Sequence, residues 1–165
     1  MTVSSSDFSA QSESARATTA AEARYRVQAP NSLPRAIAVI ALDAAGRDAA
    51  QCLAAAGWQH ATFLAALAGA VHDLDGRSRS LDDEVAAADL VLMLAGPGGH
   101  ADAASIVGDV CSRRRVMTTG FLVGAAAASD RDVAKTLAQL RPWSLMVVIS
   151  QSDDYLSDMM TALRA

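Results

Sequence analysis

The densest chemistry in the chain lies in one stretch, Gly96-Pro97-Gly98-Gly99-His100-Ala101-Asp102. Glycines in a turn let successive backbone N–H groups approach an anion, because no side chain blocks the way. The same three glycines, Gly96, Gly98 and Gly99, also suit a plain strand-to-helix turn that needs positive φ. His100 and Asp102 stand at the start of the next helix. There they fit an acid/base or metal-ligating pair, or a polar cap favoured by the helix dipole. A second loop, Asp43-Ala44-Ala45-Gly46-Arg47, offers a carboxylate at Asp43, a flexible Gly46 and a cation at Arg47 for an anionic ligand.

Other reactive side chains form no visible constellation. His60 and His72 have no second ligand at metal-binding spacing and read as surface or loop histidines. The acids Asp73, Asp75, Asp82 and Asp83 do not follow the calcium-loop pattern. Asp153-Asp154 reads as a first helical turn. Ser105 and Cys111 lack a base in a nucleophile-elbow arrangement. Cys52 and Cys111 both fall in predicted helices and read as buried thiols in a reducing compartment. No Rossmann G-x-G-x-x-G follows the first strand, which counts against NAD.

The elements that must position these residues follow from apolar patterning. Ala36–Leu42 and Leu90–Ala95 are continuous apolar runs, as expected of parallel strands buried on both faces. His60–Leu67, Val116–Val123 and Leu145–Ile149 read as further strands. Helices are expected over Arg47–Ala56, stopped by Gly57, from the Ser80 cap to Ala88, over Ala101–Ser112, from Ser129-Asp130 to Leu140, and over Asp153–Leu163. Gly69–Ser80 reads as polar turn. The alternation predicts an α/β fold, a three-layer, doubly wound, mostly parallel sheet of Rossmann-like type. Ligands in such sheets bind outside the carboxyl ends of the strands. That gathers the loops Asp43–Arg47, Gly96–Asp102 and Gly124–Ser129. Residues 1–34 are rich in Ser, Ala, Thr and Gln and read as a flexible arm, with a short helix near Thr19–Val27; residues 35–165 are the domain.

With those loops and strands laid out, the chain resembles the nucleotide-binding N-terminal domain of the tubulin/FtsZ family. The match spans most of Arg35–Leu163. Ile37–Leu42, then Asp43–Ala49, then Ala56-Gly57 is similar to the family's first strand, glycine-rich loop and helix ending in Ala-Gly. Ala88-Asp89 before Leu90–Leu94, followed by Ala95–Ala103, is similar to its Ala-Asp strand and GGGTG[ST]G loop. Thr119-Gly120-Phe121 and Ser150–Leu156 also fall in step. The resemblance implies GTP or GDP as ligand, held by glycine-rich loops, with Arg131 approaching a ribose or phosphate. The departures are specific. The first loop keeps only Gly46, and Asp43 would repel a phosphate that no metal bridges. The second loop has His100-Ala101-Asp102 where the family has Thr-Gly-Ser/Thr. The loop facing the γ-phosphate, the central helix and the second domain have no counterpart, so family-style hydrolysis and polymerisation are not expected.

Composition narrows the function classes. The 165 residues are 52% hydrophobic and 4% aromatic, so Ala, Leu and Val must fill the core. A net charge of −4 excludes a general nucleic-acid binder. The basic cluster Arg113-Arg114-Arg115 reads as a helix end favoured by the dipole. No apolar run reaches membrane-spanning length, and the first residues lack a secretory pattern, so a cytoplasmic protein is expected. The expected function is a degenerate FtsZ-like domain acting non-catalytically through a protein partner or homo-oligomer, as an accessory subunit or oligomer-forming protein. The alternative is a small-ligand or nucleotide-binding protein, or an enzyme, using the Gly96–Asp102 loop.

Overall fold

A computed structural model describes residues 33–67, 70–150 and 154–165. The expected arm therefore lies outside the described residues, apart from its last two positions, and so does the helix expected near Thr19–Val27. In chain order the elements are β1 (Ile37–Ala41), α1 (Ala44–Ala54), β2 (Ala61–Leu67), β3 (Ala70–Asp73), β4 (Ser78–Arg79), α2 (Leu81–Ala86), β5 (Leu90–Ala95), α3 (Ala104–Arg114), β6 (Met117–Leu122), α4 (Asp130–Leu140), β7 (Met146–Ile149) and α5 (Asp154–Leu163). Short 3₁₀ turns follow β6 and α4.

The strands form one sheet in the order β4-β3-β2-β1-β5-β6-β7. The five strands β2, β1, β5, β6 and β7 are parallel. β1 and β5 are the central pair, and every residue of both is buried. Their continuous apolar runs are what a strand covered on both faces requires. On one face Val85 of α2, Val107 and Val110 of α3, and Leu140 of α4 pack on Ile40, Val91 and Met93. On the other, Ala50 and Leu53 of α1 and Leu156 and Met160 of α5 pack on Val39, Leu92 and Phe121. The fold is thus an α/β, three-layer, mostly parallel doubly wound sheet. Asp89 fastens its start, where Ala36 N–H donates to Oδ2 at 2.9 Å.

Three expectations are corrected. The polar stretch taken as turn holds an antiparallel hairpin, in which β3 pairs β2 and β4 pairs β3. Its polarity hid the strands because they lie at the sheet's edge, where solvent is close. Helix α1 begins at Ala44 rather than Arg47, since Asp43 is its N-cap. Helix α3 begins at Ala104, three residues later than expected, because 101–103 form a separate turn.

Candidate functional site

In this sheet the chain leaves β1 toward β2 and later returns to β1's other side as β5. The switch point therefore lies between the carboxyl ends of β1 and β5, the place where open α/β sheets bind ligands. Asp43 follows β1 there and Gly96 follows β5.

The Asp43 carboxylate fills this position. Its Oδ1 accepts the Gly46 N–H at 2.7 Å, and the pair of oxygens accepts the Gly96 N–H at 3.1 and 2.9 Å. A helix N-terminus and a neighbouring loop amide are the donors a phosphate would seek; here the protein's own anion holds them. Two glycines make the approach possible. A Cβ on Gly46 would lie 2.3 Å from the Leu94 carbonyl oxygen, and one on Gly96 would lie 2.5 Å from the Ala45 Cβ. Gly46 and Gly96 are therefore close-packing residues where α1 meets the end of β5.

The rest of the second loop is fastened to α4. Gly98 N–H donates to the Asp132 carbonyl at 3.1 Å. Gly99 N–H donates to Thr136 Oγ1 at 3.0 Å, and that hydroxyl donates to the Gly96 carbonyl at 2.8 Å. Ala101 N–H donates to Gln139 Oε1 at 2.8 Å, and Gln139 Nε2 donates to Asp102 at 2.7 Å. Gly98 and Gly99 adopt φ of +121° and +81°, the region where glycine is at ease. The turn before α3 is closed too, since Ala104 and Ile106 N–H donate to the Ala101 and Ala103 carbonyls.

His100 is exposed, with its ring over Gly98. Asp102 is exposed and faces Gln139, so the two residues work separately. Arg47 is half-buried in the first turn of α1, and Arg131 is exposed in the first turn of α4. Asp132 beside it is held below the usual carboxylate range by the Ser129 hydroxyl and Lys135. The residues missed in the sequence are Thr136 and Gln139. Thr136 is wholly buried in α4's apolar stripe with Leu137 and Leu140, and a hydroxyl in such a stripe is the signal that a buried carbonyl needs it.

Beside this cluster, on the α1/α5 face, lies an open cleft of about 600 Å³. Ala45, Pro97 and Gly124, one from each carboxyl-edge loop, meet along it, with Phe121 and Val123 from β6 and Leu156 from α5. Asp48 and Cys52 of α1 stand on its wall. Cys52 is exposed, a correction to its expected burial, because α1 turns that face to the cleft. Cys111 is buried, and burial pushes its thiol up to about 11. The basic cluster is largely paired: Arg113 with Asp109 at 3.2 Å, and Arg114 with Asp82. Arg115 takes the left-handed position that ends α3. Among the described residues no three His, Cys, Asp or Glu side chains group as a metal site, and no helix is long and apolar enough to cross a membrane.

No protein-family model matches the chain, and no curated protein matches it in sequence. Among solved structures it is similar to UDP-N-acetylglucosamine 3-dehydrogenase GnnA from Acidithiobacillus ferrooxidans, at 18% identity and a TM-score of 0.39. That match covers 78% of this chain and 44% of the other, so the chain spans less than half of that protein's length.

Proposed function

We propose that the chain is a degenerate FtsZ-like domain that binds no nucleotide and acts through protein association. One observation carries this reading: the Asp43 carboxylate occupies the switch point and takes the Gly46 and Gly96 amides. A phosphate arriving there meets a negative charge that already holds the Gly46 and Gly96 amides, and displacing Asp43 would uncap α1. The amides of Gly98, Gly99 and Ala101 are held by α4 in the same way. The FtsZ-like skeleton of strands and loops stays, while its phosphate grip is replaced by internal bonds. Titration calorimetry of the full chain with GTP, GDP, ATP and NAD should show no micromolar binding. Micromolar binding of GTP that Gly98→Val removes would overturn the reading.

The cleft favours a second reading, a small-ligand protein. Its volume suits a small organic molecule, and its walls are mainly apolar, so the ligand would be largely uncharged. It would lie against Ala45, Pro97 and Gly124, beside Val123 and Leu156. Thermal shift with an uncharged aromatic library, repeated on Ala49→Trp to fill the cleft, separates this reading from the first.

A further inference from the structure

The two edges of the sheet are built differently. β4, at one edge, has two residues, both polar and exposed, and Arg79 there pairs with Glu84. Short length and charge are how natural sheets keep an edge from pairing. β7, at the other edge, is Met146-Val147-Val148-Ile149, and among the described residues it bonds to β6 alone. It holds no charge, proline or glycine. Met146 and Ile149 are 52% and 46% exposed, and Leu145 just before it is 78% exposed. From Pro142 to Ser150 there is no charged residue at all.

We infer that β7 is the interface of a homodimer, in which the edges of two copies pair antiparallel about a twofold axis and join the two sheets into one. This inference rests on the association reading above and names its partner as a second copy of this chain. The strand is complementary to itself: centred pairing sets Met146 against Ile149 and Val147 against Val148 of the second copy, apolar against apolar throughout. The charges at the two ends of the strand agree with the antiparallel direction. Arg141 lies before the strand, and Asp154 and Asp158 lie after it, all exposed. Antiparallel pairing brings the cationic end of each copy to the anionic end of the other, whereas parallel pairing would set like charges together. Leu145, Met146 and Ile149 leave large apolar side chains exposed along this edge, which pairing with a second copy would bury.

Sedimentation velocity of the full chain across the micromolar range tests this. The wild type should run at twice the 17.1 kDa chain mass. Ile149→Lys and Met146→Lys should each give a monomer with an unchanged circular dichroism spectrum. Met146→Lys serves as the readout if the first variant fails to fold, since Met146 is the more exposed. A monomeric wild type, or a dimer indifferent to the lysine variants, would overturn the inference. A monomer that still binds no nucleotide sinks the dimer alone, whereas micromolar GTP binding sinks the reading beneath it.

Discussion

Asp43 does three things with one carboxylate: it caps α1, bonds the loop after β5, and places a negative charge at the sheet's switch point. Replacing an N-cap by alanine costs about 1 kcal/mol, and an orphaned, part-buried amide at Gly96 adds about 1–3 kcal/mol. Asp43→Ala should therefore lose about 2–4 kcal/mol in urea unfolding, and Asp43→Asn less, because the amide oxygen still accepts. Glycines make a sharper contrast. Gly57 has φ of +73° and open space around it, so Gly57→Ala should cost only the left-handed strain of roughly 1–2 kcal/mol. Gly46→Ala drives a Cβ into the Leu94 carbonyl, and α1 must move. Its loss should exceed that of Gly57→Ala clearly in the same assay. The cysteines divide the same way. Exposed Cys52 should alkylate readily at mildly alkaline pH, while Cys111, buried and titrating near 11, should react only on unfolding. Mass spectrometry of the native chain reads both at once.

Between elements, α4 acts as the clamp on the glycine loop. Thr136→Val keeps the shape but leaves the Gly96 carbonyl and the Gly99 amide without their partner. A loss of about 2–4 kcal/mol is expected, and Gly99 amide exchange should quicken more than that of β1. Helices α2 and α3 are joined by Asp82 and Arg114 at the surface, and the guanidinium holds the Asp82 carboxyl below its usual range. A depressed carboxylate stabilises fully above the unfolded pKa of about 3.9 and loses that contribution as pH falls through the lower folded value. The wild type should thus exceed Arg114→Gln in stability at neutral pH, and the two urea midpoints should converge in acid. What was legible at this scale was the buried part of the sheet. Continuous apolar runs announce β1 and β5, and Ser80 and Ser129 announce their helices. The β3–β4 hairpin was not legible, because edge strands carrying His72, Asp73 and Arg79 share their composition with loops. The clamp was not legible either, since its bonds join positions about forty residues apart and local spacing says nothing of them.

At the scale of the molecule, the described residues cover the two faces of the sheet unequally. Three helices, α2, α3 and α4, lie on one face, and two, α1 and α5, on the other. The open cleft lies on the α1/α5 face, lined by residues of both helices. The carboxyl-edge position of the candidate site was legible from strand order alone, yet the occupant of the switch point was not. A sequence shows Asp43 as a carboxylate near glycines and cannot show that Gly46 and Gly96 bring two amides onto it. Helix α5 is held mainly by Leu156 and Met160, both buried against the Phe121 side. Met160 is fully buried, so Met160→Ala should cost about 2–5 kcal/mol by lost burial and cavity. The loss should not fall evenly. Because α5 meets the sheet through so few buried side chains, its amides should exchange by local opening, below the free energy that opens β1 and β5. Native-state hydrogen exchange on Met160→Ala should then show the α5 amides becoming fast, while those of β1 quicken only as far as the loss of global stability allows. Equal protection of α5 and β1 in the wild type would mean that α5 opens with the rest as one cooperative unit.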